Sequence, residues 1–276
     1  MPDHDAARLA VLIDADNTSA SQAAAILEEL ARYGIPTVKR AYGDWTTQNL
    51  VRWKDELHRH AIQPVQQFAY TTGKNSTDSA LIIDAMDLLY SGNLDAFAIV
   101  SSDSDFTRLA TRIRESGKTV YGMGRRRTPA SLVAACDRFI YLEVLGQADD
   151  SPAGDPDATD EPPLPDLRRI LTSAVESTSQ DDGWSGLSAM GNYLNNTHAS
   201  FDPRNYGFSK LSTLARAQDY LEVKQADGQA PRVRVKPEPV KAAARTATKA
   251  AAKTATTTST SRRARTTTRK TPTKTT

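Results

Sequence analysis

Three stretches of this sequence carry acids at spacings that suit one task. Asp14-Ala15-Asp16-Asn17 closes one apolar run, Asp103-Ser104-Asp105 closes another, and Asp78 ends the stretch TTGKNSTD. Several carboxylates within a few ångströms do not all stay ionised unless a cation sits among them. Hard oxygen donors with no clustered histidine and a single cysteine, Cys136, favour Mg2+ or Mn2+ over zinc. On a helical projection Asp78 falls inside the apolar arc of Leu81, Ile82, Ala85, Leu88 and Leu89, while Asp84 and Asp87 fall on the polar side. A carboxylate aimed at a core is costly unless it is paired or binds metal. Single members have plainer explanations. Asp105 caps the following helix as readily as it binds a metal, and Asp78 stands among the cap formers Ser76, Thr77 and Ser79. Turn chemistry accounts for Asp16 and Asn17 about as well as a metal does. Asp14, directly after Ile13, has little structural work to do. It is the conjunction that is specific.

The elements that must position these acids alternate in type. Apolar runs at residues 9–13, 37–41, 64–69, 96–100, 119–123 and 139–142 read as strands. Between them, residues 21–33, 48–60, 79–90, 106–115 and 130–135 carry apolar residues at helical spacing. The alternation predicts an α/β fold, a parallel sheet with helices on both faces. In such sheets ligands bind beyond the carboxyl ends of the strands, where strand order reverses. If the first and fourth strands are neighbours there, the acids converge.

Composition marks the boundaries. The chain has 276 residues, 39% hydrophobic and 25% charged, with room for two domains. Residues 8–145 are dense in apolar runs, and 146–163 form an acidic, proline-rich linker. Residues 164–236 become periodic again, and 237–276 are Lys, Arg, Thr and Ala with nothing large and apolar beyond Val240, so disorder is expected. From Lys236 onward eleven Lys and Arg face one acid, a net +10 that leaves −8 on residues 1–235. An acidic body with a basic tail points to an anionic polymer as partner. One cysteine permits no intrachain disulfide, and no run reaches the ~20 apolar residues of a membrane helix. MPDHDAARLAVLIDAD lacks the basic start of a signal peptide, so the expected location is cytoplasmic, with no membrane partner.

LIDADN, KNSTDSALIIDAM and IVSSDSDF, in this order, resemble the NYN domain of the PIN-like nuclease superfamily, in its LabA-like branch. The resemblance covers roughly residues 8–145. It implies a Rossmann-like, metal-dependent ribonuclease fold whose acidic cluster is Asp14, Asp78, Asp103 and Asp105, with Asn17 at the family's asparagine. Ser102 stands where many members have glycine. The implied chemistry is metal-assisted phosphodiester hydrolysis. Substrate phosphates would meet Lys74 and the Arg125, Arg126 and Arg127 triplet, although an ordinary solvated loop explains the triplet equally well. Ser101 and Ser102 either orient ligands or simply form the turn. Asp14-x-Asp16 also resembles the start of a haloacid-dehalogenase-type phosphatase, but Asn17 replaces that family's usual Thr or Val and no cap insertion is evident. A Toprim domain would need a Glu near the end of its first strand.

The second periodic region reads as three helices and a two-stranded wing, a winged helix. GWSGLSAMGNYL and FDPRNYGFSKLSTLARAQDYLEV look like the OST-HTH domain, also called LOTUS, over roughly residues 164–236. That resemblance implies RNA binding or docking of a protein partner. Arg204, Asn205, Lys210 and Arg216 offer phosphate contacts and Tyr206 a stacking ring, with core packing as the alternative for Tyr206 and the preferred reading for Phe208. The combined expectation is a ribonuclease that recruits RNA through its winged helix and tail. The rival is a non-catalytic RNA-binding adaptor.

Overall fold

The computed structural model of the chain describes residues 6–68, 76–146, 164–225 and 230–236. Lys74, the linker, the hairpin turn at 226–229 and the basic tail lie outside the described residues.

Six strands form the first sheet: β1 (Arg8–Asp14), β2 (Ile35–Gly43), β3 (Gln63–Gln66), β4 (Ala96–Val100), β5 (Thr119–Gly124) and β6 (Arg138–Tyr141). Their order is β3-β2-β1-β4-β5-β6 and every pairing is parallel. Strand order therefore reverses between β1 and β4, the neighbours that the acidic motifs require. Both strands are almost wholly buried, which suits a sheet covered on both faces.

Side-chain alternation divides the core into two layers. Leu9, Val11 and Ile13 of β1 and Ala98 and Val100 of β4 pack with α1 (Ala23–Leu30) and α2 (Trp53–His60). Ala10, Leu12, Phe97 and Ile99 pack on the other face with α3 (Ser76–Tyr90), α4 (Thr107–Glu115) and α5 (Ala130–Ala135). Continuing the same alternation carries Asp14 and Ser101 to the α3 face. That is how two polar residues come to meet above a buried apolar layer.

The helix α3 begins at Ser76 rather than 79, so Asp78 sits in its first turn and is buried with Leu81, Ala85 and Leu89. Asp84 departs from the expected polar side. It accepts from the Arg40 guanidinium and the Tyr42 hydroxyl of β2. An internal pairing of this kind is invisible to a projection of α3 alone.

The winged helix comprises α6 (Leu167–Thr178), β7 (Ser185–Gly186), α7 (Leu187–Thr197), α8 (Leu211–Arg216), β8 (Leu221–Lys224) and β9 (Arg232–Val235). Its core is Ile170, Leu171, Ala174, Met190, Leu194, Phe201, Leu214 and Val233, among others, with Phe208 packed against it. The sheet has three strands, β7-β9-β8, all antiparallel, rather than the expected two. The added strand spans only two residues, too short for alternation to reveal.

Candidate active site

Asp14 ends β1 and is fully buried. Asn17 folds back onto it: the side-chain amide donates to Oδ2 at 2.8 Å and the backbone N–H to Oδ1 at 3.3 Å. The Ser101 hydroxyl, one residue beyond β4, also donates to Oδ2, at 2.8 Å. The same Ser101 oxygen accepts the Asp103 N–H at 3.1 Å, and Asp103 Oδ1 accepts the Asp105 N–H at 2.9 Å. Asp103, not Asp105, is thus the N-cap of the one-turn 3-10 helix Ser104–Phe106 that leads into α4. From the facing side α3 presents Asp78, only 9% exposed. Carboxylate oxygens of Asp78, Asp103 and Asp105 lie within 4.8 Å of one another. Asp16 Oδ2 accepts from the Thr77 hydroxyl at 2.8 Å, tying the β1 loop to the start of α3.

The crowding shows in the proton affinities. Burial, reinforced by Asp14, Asp103, Asp105 and Asp16, pushes the Asp78 carboxyl up to about 6. Burial also raises Asp14, against the hydrogen bonds from Asn17 and Ser101. The donor set is all carboxylate oxygen, the chemistry of a hard divalent cation. Among the described residues this is the one group of three such side chains close enough to share an ion. The residues fit such a cation. Asp14 lies outside the trio, its Oδ2 accepting from Asn17 and Ser101 and its Oδ1 from the Asn17 N–H.

Beside the trio opens a cleft of about 370 Å3 lined by Asn17, Ser102, Asp103, Ser104, Arg125, Arg127 and Pro129. The Ser102 hydroxyl accepts the Arg125 N–H at 2.8 Å, and the Thr128 hydroxyl donates to the Arg125 carbonyl at 2.6 Å. The loop after β5 is therefore pinned to the end of β4. Arg126 is not on the cleft wall; its N–H is held by Glu143 at 3.0 Å. Sequence reasoning left Ser101 and Asp16 open between a role in the site and turn formation, and it did not single out Thr128. For Ser101 the signal was available: it continues the alternation of Phe97 and Ile99.

The residues expected on RNA in the winged helix need correction. Arg204 is not a free phosphate contact. Its guanidinium makes a bidentate pair with Glu29 of α1, at 2.9 and 2.7 Å, and a second pair with Asp202. Burial pushes Glu29 up, but the bonds and charge of Arg204 outweigh it, and its carboxyl lies below its ordinary range. Arg138 stands 3.6 Å from Asp202 and over the Tyr33 ring, and Tyr33 stacks on Tyr121 at 4.8 Å. The Phe139 N–H on β6 donates to the Ala199 carbonyl at 2.7 Å. Arg204 thus joins the winged helix to the sheet domain. Tyr206 is half-buried against Phe201, with its hydroxyl donating to the Pro165 carbonyl at 3.0 Å, so the ring is partly committed to packing. Lys210 stays exposed at the start of α8.

Among the described residues no helix is long and apolar enough to cross a membrane. No curated protein matches the chain significantly. Among solved structures, a protein of unknown function from Vibrio parahaemolyticus is similar at 19% identity and a TM-score of 0.43, covering 50% of this chain and 94% of its own. An uncharacterised protein from Nitrosomonas europaea matches at 33% identity with a TM-score of 0.25, over 33% of this chain and 94% of its own. A Chromobacterium violaceum protein matches at 32% identity with a TM-score of 0.24, over 29% of this chain and 91% of its own. The NYN domain model matches residues 8–143 and the OST-HTH/LOTUS model residues 162–233. The chain is thus an NYN domain followed by an OST-HTH/LOTUS domain.

Proposed function

We propose that the chain is a ribonuclease that hydrolyses RNA phosphodiester bonds with Mg2+ or Mn2+ held by Asp78, Asp103 and Asp105. The observation that carries the reading is the trio of carboxylates within 4.8 Å at the strand-order reversal. The NYN domain supports a nuclease role and the OST-HTH/LOTUS domain an RNA-binding one. When bound, the cation supplies a water of lowered pKa and neutralises charge that builds on the phosphate.

The chain's own residues do the rest. Asp14 stays buried and hydrogen-bonded, and through Ser101 it fixes the backbone of Asp103. Asn17 holds Asp14 from the other side and faces the cleft. Ser102 and Thr128 set the loop from which Arg125 and Arg127 line the same cleft, where non-bridging phosphate oxygens find positive charge. Arg126 and Lys74 add charge nearby in sequence. RNA is gathered by the winged helix, with Lys210 among the exposed bases, and by the basic tail, whose contribution falls with salt.

The test is cleavage of labelled single-stranded and structured RNA, with DNA controls, in Mn2+, Mg2+ or EDTA. The reading expects RNA to be cut with either ion and left intact in EDTA. Intact RNA in every condition, with RNA binding retained, would replace it with a non-catalytic adaptor.

A further inference from the structure

With Arg204 paired to Glu29 and Asp202 and Tyr206 half-buried, another surface of the winged helix comes forward as a place for RNA. The solvent face of its sheet is the strongest candidate. Leu221 and Val233 point to the core, so alternation turns Glu222, Lys224, Arg232 and Arg234 outward. Register places Glu222 opposite Arg234 and Lys224 opposite Arg232. Just before β7, the Trp184 ring lies under two of these cations, with Lys224 Nζ 4.9 Å and Arg234 Cζ 4.7 Å from its centroid. Glu222 bonds Arg234 at 2.6 Å and Lys224 at 3.4 Å, and Asp182 holds Arg232 at 2.8 Å. Lys236 ends the described chain one residue past β9, and the sequence beyond it is the strongly basic tail.

We propose that this face is a platform for single-stranded RNA, with an unpaired base stacking at Trp184 and Arg234 and phosphates engaging Lys224, Arg232 and Arg234. It rests on the reading of the chain as an RNA-directed protein. Base stacking needs an exposed ring face, which a duplex does not offer, and arginine planes and indole rings both provide the partner surface. The Lys224 side chain is 65% exposed, so a base can displace it from the ring. Exposed ion pairs are weak, so the phosphate can replace a carboxylate as partner of each cation. In the free protein Glu222 pre-orients Arg234; in the complex it competes with phosphate. That competition gives the proposal a sign a bland surface would lack.

The experiment measures binding of a short labelled single-stranded RNA to the full chain in EDTA, as a function of salt. Trp184→Leu is expected to bind about tenfold more weakly. The double variant Lys224→Gln/Arg234→Gln is expected to flatten the slope of log K against log salt by about 1.4, roughly 0.7 per lost phosphate contact on a single strand. Glu222→Gln keeps the shape and an acceptor for Arg234 while removing a negative charge, and is expected to bind several-fold more tightly. Unchanged or weaker binding by Glu222→Gln, together with an unchanged salt slope in the double variant, would overturn the platform. Cleavage by the same proteins in Mn2+ separates the two readings. A wild type that cuts RNA, with wing variants that bind as it does, removes the platform alone; a wild type that neither binds nor cuts RNA removes both.

Discussion

Asp78 pays for the arrangement of the site. Its carboxyl, raised from 3.8 to about 6 first by burial and then by four neighbouring acids, holds a proton more tightly in the folded chain than in the unfolded one. The metal-free fold is therefore favoured at low pH and loses that stability as pH rises through about 6. Asp78→Asn should make the metal-free protein more stable than wild type at pH 7.5, by on the order of 2 kcal/mol, with the gap closing below about pH 4. Urea denaturation in EDTA at the two pH values checks it. Because a cation must displace that proton, affinity for Mn2+ should strengthen as pH rises through about 6, readable by calorimetric titration. Ser101→Ala removes a donor to a buried carboxylate and the acceptor of the Asp103 N–H, and should cost about 1–3 kcal/mol in urea denaturation. The sequence made the inward aim of Asp78 legible because its helix has a clear apolar arc. It could not show that Arg204 is spoken for, because Glu29, 175 residues away, belongs to another element's polar positions.

At the scale of elements, the alternation of strands and helices was readable from apolar periodicity, while the β1–β4 neighbourhood entered only as the condition under which the acids converge and was supplied by the strand order. What periodicity missed were short features set by hydrogen bonds. Asp103 rather than Asp105 caps the turn after β4, since its backbone is extended and its carboxylate reaches the Asp105 N–H. The strand β7 has two residues, and α3 starts a turn's worth of residues early, at Ser76. The end of β5 is a further constraint. A Cβ on Gly124 would lie 2.7 Å from both the Ser101 carbonyl oxygen and the Thr128 hydroxyl. Gly124→Ala should therefore separate the arginine-bearing loop from the β4 end and destabilise by about 1–3 kcal/mol, measured by thermal or urea unfolding.

For the whole molecule the telling feature is the junction between the two domains. Glu29 is only 3% exposed, and Arg204 is its bidentate partner. Arg204→Ala leaves the buried Glu29 carboxylate with only Arg32, at 3.1 Å, and the Tyr33 hydroxyl as partners, at a cost of about 1–3 kcal/mol. Calorimetry should then show two unfolding transitions where the wild type shows one. Glu29 and Asp202 both sit below their ordinary carboxyl values. The junction's contribution is thus fully present above those values and is lost as pH falls through the lowered ones, the reverse of Asp78. Two domains read separately from the sequence are joined by residues whose local patterns looked like surface.

The most direct measurement is single-turnover cleavage of labelled RNA in Mn2+ by the wild type beside Asp103→Asn, at protein concentrations where both bind the RNA. The account predicts cutting by the wild type and its loss, by at least a hundredfold, in the variant with binding intact. Equal cutting by the two proteins would contradict it, because the carboxylates beyond β4 would then have no part in the reaction.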